Sequence, residues 1–291
     1  MKQRSSEVLN QRLEALVMAR PTHKDVLEFY GAVMTVQLEA RERFPGKTAL
    51  AHDVSGDRTT RAFPLFEGRD MPISLEAART IFDSVCDVAK AENETLRKGV
   101  HRILEAVRDE KIDIVRILEE MIRGEGPYTD EQCESLHMSR DILVFLGRAS
   151  VQPLVQETAL IVSQGIDAGG WTKGICPICG SLPILSELTG DEGRRMLICS
   201  FCGYEWSVPR LACPFCEEVK HEGHPYFFVE GDETVRVDVC DDCKRYIKTL
   251  DTRKGGGAVF PLLEDVATLH LDMLAQEKGY ERGSAQYLEL I

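Results

Sequence analysis

The chain of 291 residues has no long hydrophobic run. Its longest apolar stretches, such as Ile142 to Gly147, are far too short to span a bilayer. The polar N-terminus, Met1 to Glu7, is not followed by the apolar segment of a secretion signal. We therefore expect a cytoplasmic protein without membrane insertion.

Positive charge is also scarce. The chain has 35 Lys and Arg residues against 48 Asp and Glu residues, which gives a formal net charge of -13. Nonspecific nucleic-acid binding depends on clustered Lys and Arg, so this balance argues against a nucleic-acid partner. The 43% hydrophobic and 29% charged residues are typical of a soluble globular protein, and the length suggests about two domains.

Catalytic signatures are missing as well. The sequence contains no phosphate-binding glycine loop, no Ser-His-Asp order and no pair of carboxylates in a suitable context. We therefore expect a protein that is not an enzyme and that acts through contacts with other proteins.

Cysteine is plentiful, and eight of the ten cysteines form four Cys-x-x-Cys pairs. Two thiolates in one tight turn can bind a metal ion from the same side, and a second such turn completes a tetrahedral set. Four disulfides are disfavoured without a secretion signal, and a redox dithiol needs one pair at the start of a helix. The sequence therefore predicts two metal sites of four cysteines each, with the ligands Cys176, Cys179, Cys199, Cys202, Cys213, Cys216, Cys240 and Cys243.

The gaps between the pairs predict how they combine. Nineteen residues separate Cys179 from Cys199, and twenty-three separate Cys216 from Cys240, which is enough for a hairpin that returns the second pair to the first. Only ten residues separate Cys202 from Cys213. We therefore pair the first turn with the second and the third with the fourth. A tetrahedral sulfur set suits zinc or iron, and the spacing does not choose between them.

The residues after each pair distinguish the two sites. Gly180 and Gly203 follow the first and second pairs, as in rubredoxin, and let the backbone turn its amides toward sulfur. Glu217 and Lys244 stand at the matching positions of the other pairs, so the second site should have a less ideal sulfur environment or a wider turn, with weaker metal binding. Basic residues nearby either offset the charge of the metal-thiolate centres or are solvated surface charges: Arg194, Arg195, Arg210, Lys220, Arg236, Lys244, Arg245 and Lys248.

The chain from Ser5 to about Gly165 has apolar residues at intervals of three and four, which predicts a bundle of helices. Start and stop signals are Thr22, Ser74, the Thr129-to-Gln132 capping box, and Gly124 after the long stretch from Ile103 to Leu118. A long connection from Phe44 to Pro72 interrupts the helices, and we expect it to pack back on the bundle through Phe63, Leu65 and Phe66.

The composition changes at Gly169-Gly170-Trp171, where we place the domain boundary. The stretches 195–198, 226–229 and 235–239 predict strands, the last two joined by a turn at 230–234, and the metal should be the core of each small ribbon. A flexible joint at 254–257 precedes one last helix that ends near Gly279. We predict an α plus small β fold: an all-α helical domain (1–168), two rubredoxin-like or zinc-ribbon-like metal modules (169–211 and 212–254), and a C-terminal linker and helix (255–291).

Other candidate residues have weaker signals. His221 and His224 lie in a polar loop without the spacing of a helical metal motif, and we set them aside. Cys86 and Cys133 fall in helical stretches and are interpreted as thiols outside any site. The two tryptophans, Trp171 and Trp206, either anchor a protein partner or close the small core beside the metal turns.

Cysteine spacing and other motifs together carry a family resemblance: Trp171 to Ser181, Leu197 to Cys202, Glu205-Trp206, Arg210, Cys213 to Cys216, Cys240 to Cys243, Tyr246 to Lys248, Asp265 to Asp272, and Gln276 to Tyr280. Through them the second half of the chain resembles the formate dehydrogenase accessory protein family (FdhE), whereas the helical half is similar only in character. The resemblance implies a cytoplasmic accessory protein that is required for active formate dehydrogenase and that targets its molybdenum- or tungsten-containing catalytic subunit. It also implies that the eight cysteines are metal ligands at their own positions.

The leading hypothesis is therefore a non-catalytic assembly factor that recognises the immature dehydrogenase. An alternative of another class is a rubredoxin-like electron-transfer protein that acts on a partner redox enzyme. A nucleic-acid-binding zinc ribbon is a third hypothesis, which the acidic charge disfavours.

Overall fold

The computed structural model describes residues 5–46, 57–66, 71–124, 126–220, 222–254 and 257–284. A helical region comes first, then a small sheet that carries two clusters of four cysteines, then two short helices. This order confirms the predicted α plus small β fold class. No helix within the described ranges combines the length and apolarity needed to cross a membrane.

The described part of the helical region contains eight α-helices, and side-chain caps fix several of their starts. Ser5, Ser74, Asn93, Asp113 and Ser139 each accept a hydrogen bond from a backbone amide of the first turn. The helices are α1 (Ser6–Ala19), α2 (Lys24–Arg43), α3 (Asp57–Thr60), α4 (Leu75–Glu92), α5 (Glu94–Arg108), α6 (Ile114–Arg123), α7 (Pro127–Ser135) and α8 (Arg140–Ser163).

Helix α8 is the centre of this region, because it packs against α2, α4 and α6. Its buried residues, which include Leu143, Leu146, Val151 and Val155, lie on all sides of the helix. A helix that is apolar all round must be covered all round, and the surrounding helices meet that requirement.

Two of the predicted helix starts are wrong. Thr22 lies inside a short 3-10 helix, Pro21–His23, and α2 begins after it. Thr129 lies inside α7, where its amide and hydroxyl both donate to the Glu120 carboxylate, at 2.8 and 2.7 Å. The predicted cap at Ser74 and stop at Gly124 are confirmed, and Gly124 has the left-handed φ of 75° that favours glycine.

The connection between α2 and α4 is described only in part, since residues 47–56 and 67–70 of the predicted loop lie outside the described ranges. Leu65 is buried and Phe66 is partly buried, as expected, but Phe63 is 60% exposed. The amides of Leu65 and Phe66 donate to the carbonyls of Pro177 and Ile178, at 2.8 and 2.9 Å. The connection therefore packs on the first Cys-x-x-Cys turn rather than on the bundle alone.

Among the residues described after α8, seven strands form one sheet. The strands are β1 (Pro183–Thr189), β2 (Arg194–Cys199), β3 (Glu205–Val208), β4 (Tyr226–Val229), β5 (Asp232–Val239), β6 (Arg245–Asp251) and β7 (Glu281–Arg282). Their spatial order is β3-β2-β1-β6-β5-β4, with β7 also paired to β6. The predicted strands at 195–198, 226–229 and 235–239 are present as β2, β4 and β5.

Strand β6 joins the two halves of the sheet. Along one edge it pairs antiparallel with β5, from Tyr246 to Leu250. Its other edge is shared, because β1 pairs parallel with residues 249–251 and β7 pairs parallel with residues 245–246. The first ribbon (β1–β3) and the second ribbon (β4–β6) therefore form one continuous sheet.

Because the sheet is continuous, the ribbons are stabilised by apolar packing as well as by any bound metal. The helical core extends into the first ribbon, since Leu197, Trp206 and Ile247 are buried in the same cluster as the helix residues. A second apolar cluster includes Val237, Leu250 and residues of the last helix. Both ribbons thus share an apolar core, whereas the sequence suggested that metal alone forms the core of each ribbon.

The single predicted C-terminal helix is divided in two. Helices α9 (Pro261–Ala267) and α10 (Leu269–Glu277) meet at Thr268, whose hydroxyl lies 2.8 Å from the carbonyl oxygen of Glu264. Gly279 follows α10 with a φ of 82°, near the predicted end. Of the predicted joint at 254–257, residues 255 and 256 lie outside the described ranges.

A buried ionic network ties β6 and β7 to these two helices. Lys248 Nζ, on β6, lies 2.8 Å from Asp265 Oδ1 and 2.6 Å from Asp272 Oδ2. The side chains of Lys248 and Asp265 are fully buried, and that of Asp272 is nearly so. Arg282, on β7, pairs with the same two carboxylates, and the Tyr246 hydroxyl donates to Asp272 at 2.7 Å. Lys248 therefore neither faces solvent nor serves a metal centre; it neutralises buried carboxylates.

The network also determines a pH dependence. Burial alone would raise the pKa of Asp265, but Arg282 and Lys248 outweigh it and hold that pKa below its ordinary value. A carboxylate whose pKa is lowered by folding contributes stability above its unfolded pKa and loses it as the pH falls through the folded value. The charged network therefore stabilises the protein at neutral pH and weakens in acid.

We predict that Lys248→Met lowers the free energy of unfolding by about 3 kcal/mol, because it leaves buried carboxylates without one of their cations. Urea unfolding at neutral pH, followed by circular dichroism, measures this change. Lys98→Met is the matched control, since Lys98 pairs with Glu94 on an exposed helix face. Equal effects of the two substitutions would contradict the role assigned to Lys248.

Candidate metal centres

The first cluster consists of Cys176, Cys179, Cys199 and Cys202, all of them buried. Sulfur–sulfur distances are 3.4 Å for Cys179–Cys199 and 3.6 Å for both Cys176–Cys202 and Cys179–Cys202. A tetrahedron with metal–sulfur bonds of about 2.3 Å has sulfur–sulfur edges of about 3.8 Å. The thiols are therefore already spaced for one tetrahedral ion.

The backbone of each turn supports its sulfur atoms. The Ile178 amide donates to Cys176 Sγ at 3.4 Å, and the Phe201 and Cys202 amides donate to Cys199 Sγ at the same distance. Such hydrogen bonds favour thiolate over thiol. Gly180 and Gly203 close the two turns with φ of 73° and 66°, which confirms the predicted need for glycine there.

The second cluster consists of Cys213, Cys216, Cys240 and Cys243. Its distances are 3.7 Å for Cys213–Cys243 and 3.7 Å for Cys216–Cys240, so its spacing also suits a tetrahedral ion. Burial is uneven: Cys213 and Cys240 are buried, Cys243 is half-buried and Cys216 is exposed. The structure thus groups the cysteines as the sequence gaps predict.

The turns of the second cluster have the same shape as those of the first. Glu217 and Lys244 have φ of 61° and 56°, close to the values of the glycines at the matching positions. The turn is therefore not wider, as one of the two sequence-based alternatives held. Instead, two residues that carry side chains hold a left-handed backbone conformation, which costs about 1 kcal/mol per residue or more.

The donor chemistry fits a divalent metal ion at both clusters. Burial raises the pKa of the Cys176 and Cys202 thiols, whereas the burial of Cys179 is outweighed by hydrogen bonds with the neighbouring thiols, which lower its pKa. Without a cation, the cluster is therefore not a set of four thiolates. A divalent ion reverses this balance, because a coordinated thiol loses its proton. Zinc and iron(II) both accept four thiolates in this geometry.

Two of the basic residues near the clusters are buried and paired. Arg195 lies on β2 and is 4% exposed, and it donates to Ser186 at 3.0 Å, to Asp238 at 3.2 Å and to the Ala212 carbonyl at 3.2 Å. It also lines a small pocket together with Cys213. Arg195 therefore joins strands of the sheet beside Cys213, and Lys248 joins the sheet to the C-terminal helices, so neither residue is a solvated surface charge.

Both tryptophans close the core beside the first cluster. Trp171 is 5% exposed and Trp206 is 2% exposed. Their indole nitrogens donate to the carbonyls of Ile175 and Lys173, at 2.8 and 2.9 Å, and so hold the segment that enters the first turn. The hypothesis that they anchor a partner is therefore wrong, and the scaffold interpretation holds.

Two glycines that sequence reasoning missed determine the packing around the third turn. A Cβ on Gly174 would clash with the carbonyl oxygen of Pro214, and a Cβ on Gly283 would clash with the Phe215 ring. Gly174 lies two residues before Cys176, so the segment that enters the first turn is in direct contact with the third turn. Close approach of this kind leaves no periodic signal in a sequence.

The remaining candidates lie outside the clusters. Cys86 and Cys133 are buried within helices, and burial raises the pKa of both thiols, as expected for residues outside a metal site. His224 Nε2 lies 3.0 Å from the Glu218 carbonyl oxygen and belongs to neither cluster. His221 lies outside the described residues.

Sequence comparisons match both ribbons to one family. Residues 175–210 match the family model "FdhE, central domain", and residues 211–288 match "FdhE, C-terminal domain". The FdhE homolog of Aquifex aeolicus is 38% identical over 146 residues, which are 49% of this chain and 50% of that protein. FdhE of Escherichia coli K12 is 31% identical over 151 residues, which are 50% and 48% of the two chains. The matches therefore span about half the length of these relatives.

Structural comparison extends the similarity to the helical region. The crystal structure of the FdhE protein from Pseudomonas aeruginosa superposes with a TM-score of 0.70 at 22% identity, covering 99% of this chain and 97% of the other. At that identity the likeness concerns the fold, and it includes the order of helices, sheet and C-terminal helices. Residues 175–288 thus match the central and C-terminal domains of FdhE, and the chain as a whole has the fold of an FdhE protein.

Proposed function

We propose that the protein is a cytoplasmic accessory factor needed for the assembly and activity of formate dehydrogenase, and that it binds the catalytic subunit of that enzyme. The observation that carries this proposal is the pair of four-cysteine clusters, built into one sheet against a helical domain, in a chain whose residues 175–288 match two FdhE domains. The role in formate dehydrogenase maturation is the one that the family resemblance implies.

Metal binding by the two clusters is part of the proposal. The eight cysteines are the ligands of two tetrahedral ions, iron or zinc, one held by the first and second turns and one by the third and fourth. Sulfur spacing close to that of a tetrahedron and amides directed at sulfur support this assignment.

Contact with a protein partner is supported by the exposed surface. Among the described residues with large exposed apolar side chains, half lie in the second ribbon and the segment that leads into it: Leu211, Val219, Tyr226, Phe228 and Val229. Tyr226 and Phe228 stack with ring centroids 6.5 Å apart on β4, at the edge of the sheet. A concentration of exposed apolar side chains on one small module is typical of a protein–protein contact.

We predict that Cys179→Ala lowers the metal content by about one ion per chain and leaves the second cluster filled, because a tetrahedral sulfur site needs all four ligands. Elemental analysis of the purified protein measures the content. Cys133→Ser is the control, since Cys133 is a buried thiol outside both clusters. Loss of both metals from the Cys179 variant would show that the clusters are not independent.

We predict that the double variant Tyr226→Ser, Phe228→Ser weakens copurification with a co-produced formate dehydrogenase catalytic subunit by at least about tenfold, since aromatic anchors dominate interface energies. Phe63→Ser is the matched control, because Phe63 is an equally exposed aromatic residue outside the ribbons. Unchanged copurification of the double variant at full metal content would exclude β4 from the contact.

Electron transfer is the second candidate function, and the exposure of Cys216 favours it, because an exposed ligand brings a redox centre close to a partner. Iron bound by four thiolates absorbs visible light when oxidised, whereas zinc does not. A visible spectrum of protein purified without oxygen and then exposed to air therefore separates the two functions. A colourless zinc protein that still supports formate dehydrogenase activity in cells would leave only the binding role.

A further inference from the structure

The two clusters differ in how far their ligands are enclosed. In the first cluster, all four cysteines are buried within the core shared with the helices. In the second cluster, Cys216 is exposed and Cys243 is half-buried. An incoming ligand can therefore reach a metal ion in the second cluster from the Cys216 side, while the first cluster must open before anything can enter.

The clusters also differ in backbone strain. Glu217 directly follows Cys216, and Lys244 directly follows Cys243, and both hold the left-handed conformation that glycine holds in the first cluster. Strain in the bound turn favours states in which the turn relaxes, so it lowers the barrier to releasing a ligand. The two strained turns are the same two that carry the accessible thiols.

Contacts other than the cluster itself hold the second site in shape. Strand β5 and strand β6 pair on both sides of the fourth turn, and the Glu281 amide donates to the Lys244 carbonyl at 2.8 Å. The Tyr280 hydroxyl donates to Asp241 at 2.8 Å, and the Gly283 backbone packs directly against the Phe215 ring of the third turn. Because these contacts do not involve the ion, we expect the second site to keep its shape when the ion leaves.

We propose that the second cluster is an exchange site that passes its metal ion to the thiolates of an acceptor, while the first cluster retains its ion. This inference rests on the proposed metal binding. In the first exchange step an acceptor thiol loses its proton as its sulfur binds the ion, the bond from the ion to Cys216 breaks, and Cys216 takes up a proton. The same exchange then repeats at Cys243, Cys240 and Cys213, with one acceptor thiol for each bond that breaks, until the ion has left. The oxidation state of the ion does not change.

The test uses the full chain loaded with zinc and mixed with an excess of the chromogenic chelator pyridylazoresorcinol. We expect two phases of about one zinc ion each, with a fast phase whose rate rises in proportion to chelator concentration because the ion is attacked directly. Cys216→Ala removes the fast phase, and Cys179→Ala removes the slow phase. Addition of excess N-acetylcysteine, a simple thiol acceptor, speeds the fast phase and leaves the slow phase unchanged.

Three glycine-related variants separate strain from general destabilisation. The double variant Glu217→Gly, Lys244→Gly slows the fast phase by about fivefold or more, since it removes two left-handed side chains. Gly203→Ala speeds the slow phase, because it places a left-handed alanine in the first cluster. The added Cβ makes only ordinary van der Waals contact with Gln156, so a steric clash does not contribute. Gly190→Ala changes neither phase, as it introduces the strain at a hairpin tip with nothing within 4 Å.

Two zinc ions that leave in a single phase overturn the inference, and so does a fast phase that disappears in Cys179→Ala. A fast phase that is unchanged in the double variant Glu217→Gly, Lys244→Gly overturns the part of the inference that assigns fast release to backbone strain. These results leave the proposed function standing. A chain that takes up no zinc at either cluster contradicts the metal binding on which both proposals depend.

Discussion

The parallel pairing of β1 with β6 is the constraint on which the C-terminal half depends. Three residue pairs, from Ser186–Thr249 to Leu188–Asp251, join the edges of two ribbons into one sheet. A ribbon of about forty residues is too small to be held by an apolar core of its own. Joined, the ribbons present one surface to the helical region and another to the C-terminal helices, so each cluster belongs to a larger folded unit.

Buried charged groups also stabilise the region where β1 and β6 join the two ribbons. Strand β6 places Lys248 among the carboxylates of α9 and α10, and β7 brings Arg282 to the same group. On the other side, Asp238 of β5 binds Arg195 of β2 and the Thr249 hydroxyl, so polar bonds cross from one ribbon to the other. Such groups are stable in the interior only as a complete set, which makes the junction specific as well as stable.

The unequal surroundings of the clusters suggest a division of labour. The first cluster is enclosed by the tryptophans, the loop before α4 and the helical core, so a metal ion there would serve the fold. The second cluster lies toward the surface, since Cys216 is exposed and Cys243 is half-buried, and Tyr226 of β4 pairs with Asp238, two residues before Cys240. Under the proposed function, structural support and contact with a partner are thus assigned to different ribbons of one sheet.

The sequence by itself determined what is encoded locally. The apolar period and caps such as Ser74 predicted helices, and the gaps between the cysteine pairs predicted the two cysteine groups. The glycines after the first and second pairs predicted tight turns, because glycine readily adopts a left-handed φ. It missed β1, β3, β6 and β7. Strand β6 carries a buried lysine and β7 is only two residues long, and neither of these two alternates in polarity. Only the tertiary structure decided that the ribbons share a sheet, that Lys248 is buried, and that the second cluster is the accessible one. Those properties depend on contacts between residues far apart in the chain, and no local pattern records them.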